Sequence, residues 1–233
     1  MVDVPSWPER LRALSADDWP EFLAAHSGLP GPRANLSLLQ AVVAEADAEM
    51  IDRLDASDDE YSVMCAAACL GARASASPHD ERLRSRATDE RWRVREGVVL
   101  GLQLLGDRDV AALLGIVREW AREPHPLLQR AAVAALCEPR LLRSPDAVSA
   151  ALEICRVTTA QFASWSDEQR RSPDARTLRQ ALGYCWSVVV AADPSAGLPA
   201  FLDLDVSVPD VGWIVRENSR KKRLSRLLPS ASS

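Results

Sequence analysis

No run of about 18 apolar residues occurs in the chain, so no segment is expected to cross a membrane as a helix. The longest apolar stretch, Gly97 to Gly106, is short and broken by Gln103. The opening MVDVPSWPER has acids and prolines where a secretory signal needs a basic start and an apolar run. Cysteine is sparse and odd in number, five residues with no CxxC pair, which excludes a disulfide framework and makes the cytoplasm the default compartment. Aromatics make up only 5%, and seven of them are Trp against three Phe and two Tyr. No segment shows the alternating β-branched pattern of a strand.

What is present is ordinary for a folded chain. Hydrophobic residues make up 47% and charged residues 26%, with Ala, Leu, Val and Arg, mostly helix formers, prominent. The net charge of −5 argues mildly against a nucleic-acid binder, yet it averages two unlike regions. Residues 1–60 carry 13 acids against 4 arginines, net −9, whereas residues 61–233 carry 20 acids against 24 basic residues, net +4.

Helix punctuation is frequent. Ser6 and Ser15 stand where N-caps belong, Pro8 and Pro20 fall in first turns, Gly28 ends the second short helix, and Asn35 caps the next. Helices are predicted near 36–46, 48–55, 60–73, 79–87, 90–105, 108–122, 126–137, 146–163, 174–191, 195–202 and 211–227. The fold class is all-α.

The helices repeat. Asp59-Glu60 followed by Leu70-Gly71 matches Asp89-Glu90 followed by Leu100-Gly101 at an offset of 30. Val94 to Val99 matches Leu128 to Val133 at an offset of 34. Trp92-Arg-Val-Arg95-Glu96 recurs as Trp213-Ile-Val-Arg216-Glu217. Small residues at helical spacing (Ala66, Ala67, Gly97, Gly101, Ala131, Ala135) allow close helix approach. The segments DERWRVREGVVLGLQLLGD, EPHPLLQRAAVAAL and VGWIVREN resemble bacterial HEAT-like repeats. That resemblance implies a right-handed α-solenoid in one domain over 1–227, with an acidic helical cap at 1–57, repeats over 58–227 and a disordered tail at 228–233.

Residues suited to chemistry are few. His26, His79 and His125 are far apart and in no ligand spacing, and His125 lies in an interhelical turn where exposure is the simple reading. Cys65 and Cys69 share a helix face but sit in an Ala-rich stretch, as buried small side chains would. Gly97-x-x-x-Gly101 lies within a helix and serves packing, and the acids Asp58 to Glu60 are helix-dipole partners. No phosphate loop, nucleophile elbow or His-Glu-x-x-His occurs. No cofactor and no metal are expected.

Two basic clusters remain, at Arg82–Arg95 and Arg216–Arg226. They read either as solvated helix faces or as anion-binding surfaces. Trp92 stands among Arg91, Arg93 and Arg95, Trp213 precedes Arg216, Arg220, Lys221 and Lys222, and Trp120 and Trp186 lie mid-array. Arginine interleaved with Trp can line a nucleic-acid groove. Segment Trp92-Arg93-Val94-Arg95 resembles a helix opening in HEAT-like DNA glycosylases of the AlkD type, which excise alkylated bases; none of that family's catalytic roles maps onto a residue here. The expected function is a non-catalytic binding or adaptor module. Its Arg/Trp-bearing concave surface would engage a protein partner, with DNA, and alkylation repair, as the alternative.

Overall fold

The computed structural model describes residues 5–74 and 80–228; His79 and the tail from 229 lie outside them. Among the described residues every regular element is helical. The helices are α1 (Trp7–Arg12), α2 (Trp19–His26), α3 (Leu36–Glu45), α4 (Ala48–Asp55), α5 (Glu60–Arg73), α6 (Glu81–Ala87), α7 (Trp92–Arg108) and α8 (Val110–Trp120). They continue as α9 (Pro126–Leu136), α10 (Pro145–Ser164), α11 (Asp167–Arg170), α12 (Pro173–Ala192), α13 (Pro194–Leu202), α14 (Pro209–Ser219) and α15 (Lys222–Ser225). No helix is long and apolar enough to cross a membrane.

Caps explain most of the starts. The Glu9 carboxylate accepts from the N–H and hydroxyl of Ser6, and Asn35 Oδ1 accepts from the Leu38 N–H, as expected. Ser15 does not cap α2. Its hydroxyl donates to Asp18 at 2.6 Å, and Asp18 takes the capping position. His125 is the N-cap of α9, its Nδ1 accepting from the Leu127 N–H at 3.2 Å.

The chain divides into two compact units, one of residues up to 105 and one from 106 onward, with α7 contributing to both. In the first unit α5 is the central helix. It packs on α2, α3, α4 and α6, and it is apolar or small on every face, which suits a helix enclosed by neighbours. The first unit's part of α7 closes on α5 through glycine. A Cβ on Gly101 would lie 2.2 Å from the Ala68 carbonyl oxygen, and one on Gly97 would lie 2.3 Å from that of Met64. Only a residue without a Cβ permits this backbone approach.

In the second unit α12 is central, packed on α9, α10, α13, α14 and α15, while α8 packs on α9 and α10. Trp120, Trp186, Phe162 and Phe201 are its largest enclosed side chains. The indole N–H of Trp186 donates to Thr159 Oγ1 at 3.0 Å, so its polar edge is satisfied inside the core. Both units are thus built by helices packing pairwise in chain order.

The terminal segment departs from expectation. The single helix predicted over 211–227 is two, because Lys221 adopts an extended conformation between α14 and α15.

Candidate functional site

The Arg82–Arg95 cluster is basic in sequence and largely compensated in space. Arg82 pairs with Asp52 at 2.8 Å and with Asp55 at 3.2 Å. Arg86 reaches Asp55 at 2.6 Å and also donates to its main-chain oxygen. Arg91 forms a two-pronged pair with Asp89, both bonds at 2.9 Å. Burial alone would raise the Asp89 carboxyl, but the hydrogen bonds and charges of Arg91, with the charge of Arg86, outweigh it and hold its pKa below the ordinary value. The same bond to Asp89 raises Arg91. Arg93 donates to the Gly31 carbonyl at 3.0 Å, and Arg95 donates to the main-chain oxygens of Asp89 and Glu90. These arginines staple α6 and the start of α7 to acidic residues and carbonyls of the first unit.

The tryptophans separate by environment. Trp120 and Trp186 are 0% exposed and offer no ring face to a ligand. Trp92, at 53%, is exposed, with the Arg93 guanidinium 4.6 Å from its ring centroid. Trp213 is half-buried: one part of its ring fills the space beside Gly183, and the Arg179 guanidinium lies 4.6 Å from its centroid. Arg179 in turn pairs with Asp210.

The C-terminal cluster has a different character. Arg216, Arg220, Lys222, Arg223 and Arg226 are exposed and Lys221 is half-buried. Against these six cations only Glu217 lies in the same stretch, and it pairs with Arg220. Arg223 lies over the ring of Tyr184, 4.9 Å from its centroid, and donates to its hydroxyl at 3.1 Å. Tyr184 is itself 43% exposed. Among the described residues Arg216, Lys221, Lys222 and Arg226 have no carboxylate partner. Lys221 and Lys222 are also the only lysines of the chain.

Two anchors hold this surface rigidly. Leu224 is fully buried where α15 meets α12. Asn218, also fully buried, accepts from the Ser187 N–H at 2.8 Å and donates to the Leu182 and Ile214 carbonyls, each at 2.8 Å. The charge of this stretch is therefore displayed on anchored helices with few internal partners.

The thiols form an association that sequence spacing does not show. Cys137, Cys155 and Cys185 come from α9's C-cap, α10 and α12 and are all buried. Cys137 and Cys155 sulfurs lie 3.7 Å apart, and Cys185 Sγ meets the Val133 carbonyl at 3.5 Å. Hydrogen bonds to Cys155 and Cys185, with burial, push the Cys137 thiol well up. Cys65 and Cys69 are buried likewise, and burial pushes Cys69 up to about 12. Among the described residues no group of three His, Cys, Asp or Glu side chains is arranged to hold a metal ion. His26 sits against Trp7 and Phe22, its Nε2 2.9 Å from Arg10.

No family model, no curated protein and no solved structure matches the chain.

Proposed function

We propose that this chain is a non-catalytic binding module of HEAT-like helical repeats, with an acidic cap at 1–57, acting in the cytoplasm. Its basic C-terminal surface, formed by α14, α15 and Tyr184, takes an acidic protein partner. The repeat reading is supported by a recurrence in side-chain pairing. Arg86–Asp55, Arg122–Glu153, Arg179–Asp210 and Asn218–Ser187 each join residues 31 apart, and Arg140–Asp107 joins residues 33 apart. Contacts that step one repeat along the chain are what stacked repeats produce.

The binding reading rests on one observation: residues 216–226 display six cations with a single carboxylate in the same stretch, and one of them, Arg223, lies over Tyr184. Arginine and lysine stems over an aromatic ring suit acidic side chains interspersed with apolar ones. DNA is the second reading, carried by the same cations, since the arginines around Trp92 are already engaged and Trp120 and Trp186 are enclosed.

The test is titration with a labelled glutamate-rich peptide and with a DNA duplex, at about 50 and 200 mM salt, where phosphate contacts weaken steeply. Binding of the peptide, lost when Arg220, Lys221, Lys222 and Arg226 are changed to Glu, supports the protein reading. Binding of the duplex alone supports the second.

A further inference from the structure

The acidic excess of the first sixty residues has a surface of its own. In the first unit a groove of about 260 Å³ lies between the α1–α2 segment and the end of α3 with α4. Its floor is apolar, made by Leu11, Trp19 and Met50, and its rim carries Glu45, Asp47 and Glu49. The two arginines facing it are already engaged, Arg12 with Glu45 at 3.0 Å and Arg53 with Asp17. Asp47 caps α4 by accepting from the Met50 N–H, and neither Asp47 nor Glu49 is in a direct ion pair among the described residues, although the charge of Glu49 is felt by Arg53. Both are exposed.

We infer that this groove receives the basic surface of a second copy of the chain, joining copies head to tail. The inference rests on the reading of that surface as a binder of acidic protein and names the acidic protein. Charge complementarity carries it: residues 1–60 have net −9, whereas residues 216–226 hold six cations and one acid. The floor suits the occupant as well, because a lysine or arginine stem lies along apolar side chains while its head meets the rim carboxylates. The two faces differ, so the contact is heterologous and each copy keeps one free end, giving rings or open chains. Exposed ion pairs dominate the contact, so it weakens with salt.

Lys221 and Lys222, the only lysines, make the contact directly addressable by a zero-length amine–carboxylate cross-linker. An equal mixture of ¹⁴N- and ¹⁵N-labelled full-length protein is cross-linked at about 50 mM salt, and the linked peptides are read by mass spectrometry. The expected result is mixed-isotope links from Lys221 or Lys222 to Glu45, Asp47 or Glu49. They should fall about tenfold at 500 mM salt, beside concentration-dependent growth in mass by light scattering. Two charge-reversed variants guard against misfolding: Asp47→Lys/Glu49→Lys, and Lys221→Glu/Lys222→Glu. Each alone should be monomeric, and mixing them should restore a heterodimer. A monomer at every concentration in low salt, still able to bind the glutamate-rich peptide, overturns the inference and leaves the binding reading standing. A monomer that also ignores the peptide overturns both. Links confined to single-isotope pairs, or association unchanged in either variant, overturn the inference alone.

Discussion

Asn218 of α14 supplies α12 with a hydrogen-bond acceptor for the Ser187 N–H and a donor for the Leu182 carbonyl, each at 2.8 Å and both out of contact with water. A side chain that completes a neighbouring helix's main-chain bonding fixes the two helices in register. Asn218 therefore connects the frame of the second unit to the surface that displays its cations. Replacing it with Leu keeps the volume and removes three hydrogen bonds from a site without access to water, with an expected cost of about 1–3 kcal/mol. Asn218→Leu is expected to lower the melting temperature and to accelerate hydrogen exchange at the Ser187 amide. Unchanged exchange there would show that the amide bridge is unimportant.

The approach of α7 to α5 makes Gly101 sensitive to a single methyl group. In Gly101→Ala the new Cβ would meet the Ala68 carbonyl oxygen at 2.2 Å, against main chain that cannot rotate away. Overpacking of this kind typically costs about 1–3 kcal/mol, against the small gain alanine brings to a helix. Gly115, whose Cβ would meet nothing within 4 Å, is the control, and Gly115→Ala should be neutral or stabilising. Chemical denaturation of both variants decides the matter.

Trp92 and Trp186 should part company in the same experiment. Trp186→Ala removes an enclosed ring and leaves Thr159 Oγ1 without its donor, with an expected loss of about 3–5 kcal/mol. Trp92→Ala removes a largely exposed ring and should shift stability by well under half of that. Equal losses at the two positions would contradict the environments described.

Acid should unfasten the first unit at Asp89. Its pKa is depressed in the folded state, so its contribution to stability is complete above the unfolded value, about 3.9, and is lost as pH falls through the lower folded value. Asp89→Asn should therefore be less stable than the parent at neutral pH, and the gap should close below about pH 4. A stability difference that stays constant down to pH 2 would assign the effect to geometry rather than to charge.

The sequence carries the local rules of this fold well and its pairings poorly. Asn35 reads as a cap from its own residue type and position, and the offset of 30 between the Leu70-Gly71 and Leu100-Gly101 segments marks two helices that do pack together, with Gly71 against the backbone of Val98 and Gly101. The engagement of Arg86 is different, because its partner Asp55 lies 31 residues away and belongs to another helix. Charge counted in a linear window takes Arg82–Arg95 for a free basic patch, whereas the fold brings the acids of α4 onto it. The joining of α14 to α12 depends on a bond from Asn218 to a residue 31 positions earlier, and the gathering of Cys137, Cys155 and Cys185 depends on three helices meeting. Helix periodicity alone contains neither.

The cations of residues 216–226 are proposed to form a binding surface. Fluorescence anisotropy of a labelled glutamate-rich peptide, with the parent protein and with the Arg220→Glu/Lys221→Glu/Lys222→Glu/Arg226→Glu variant, tests it at about 50 and 200 mM salt. The expected result is saturable binding by the parent that weakens with salt and is absent in the variant, while both melt cooperatively. Equal binding by parent and variant, or none by the parent at low salt, would contradict it.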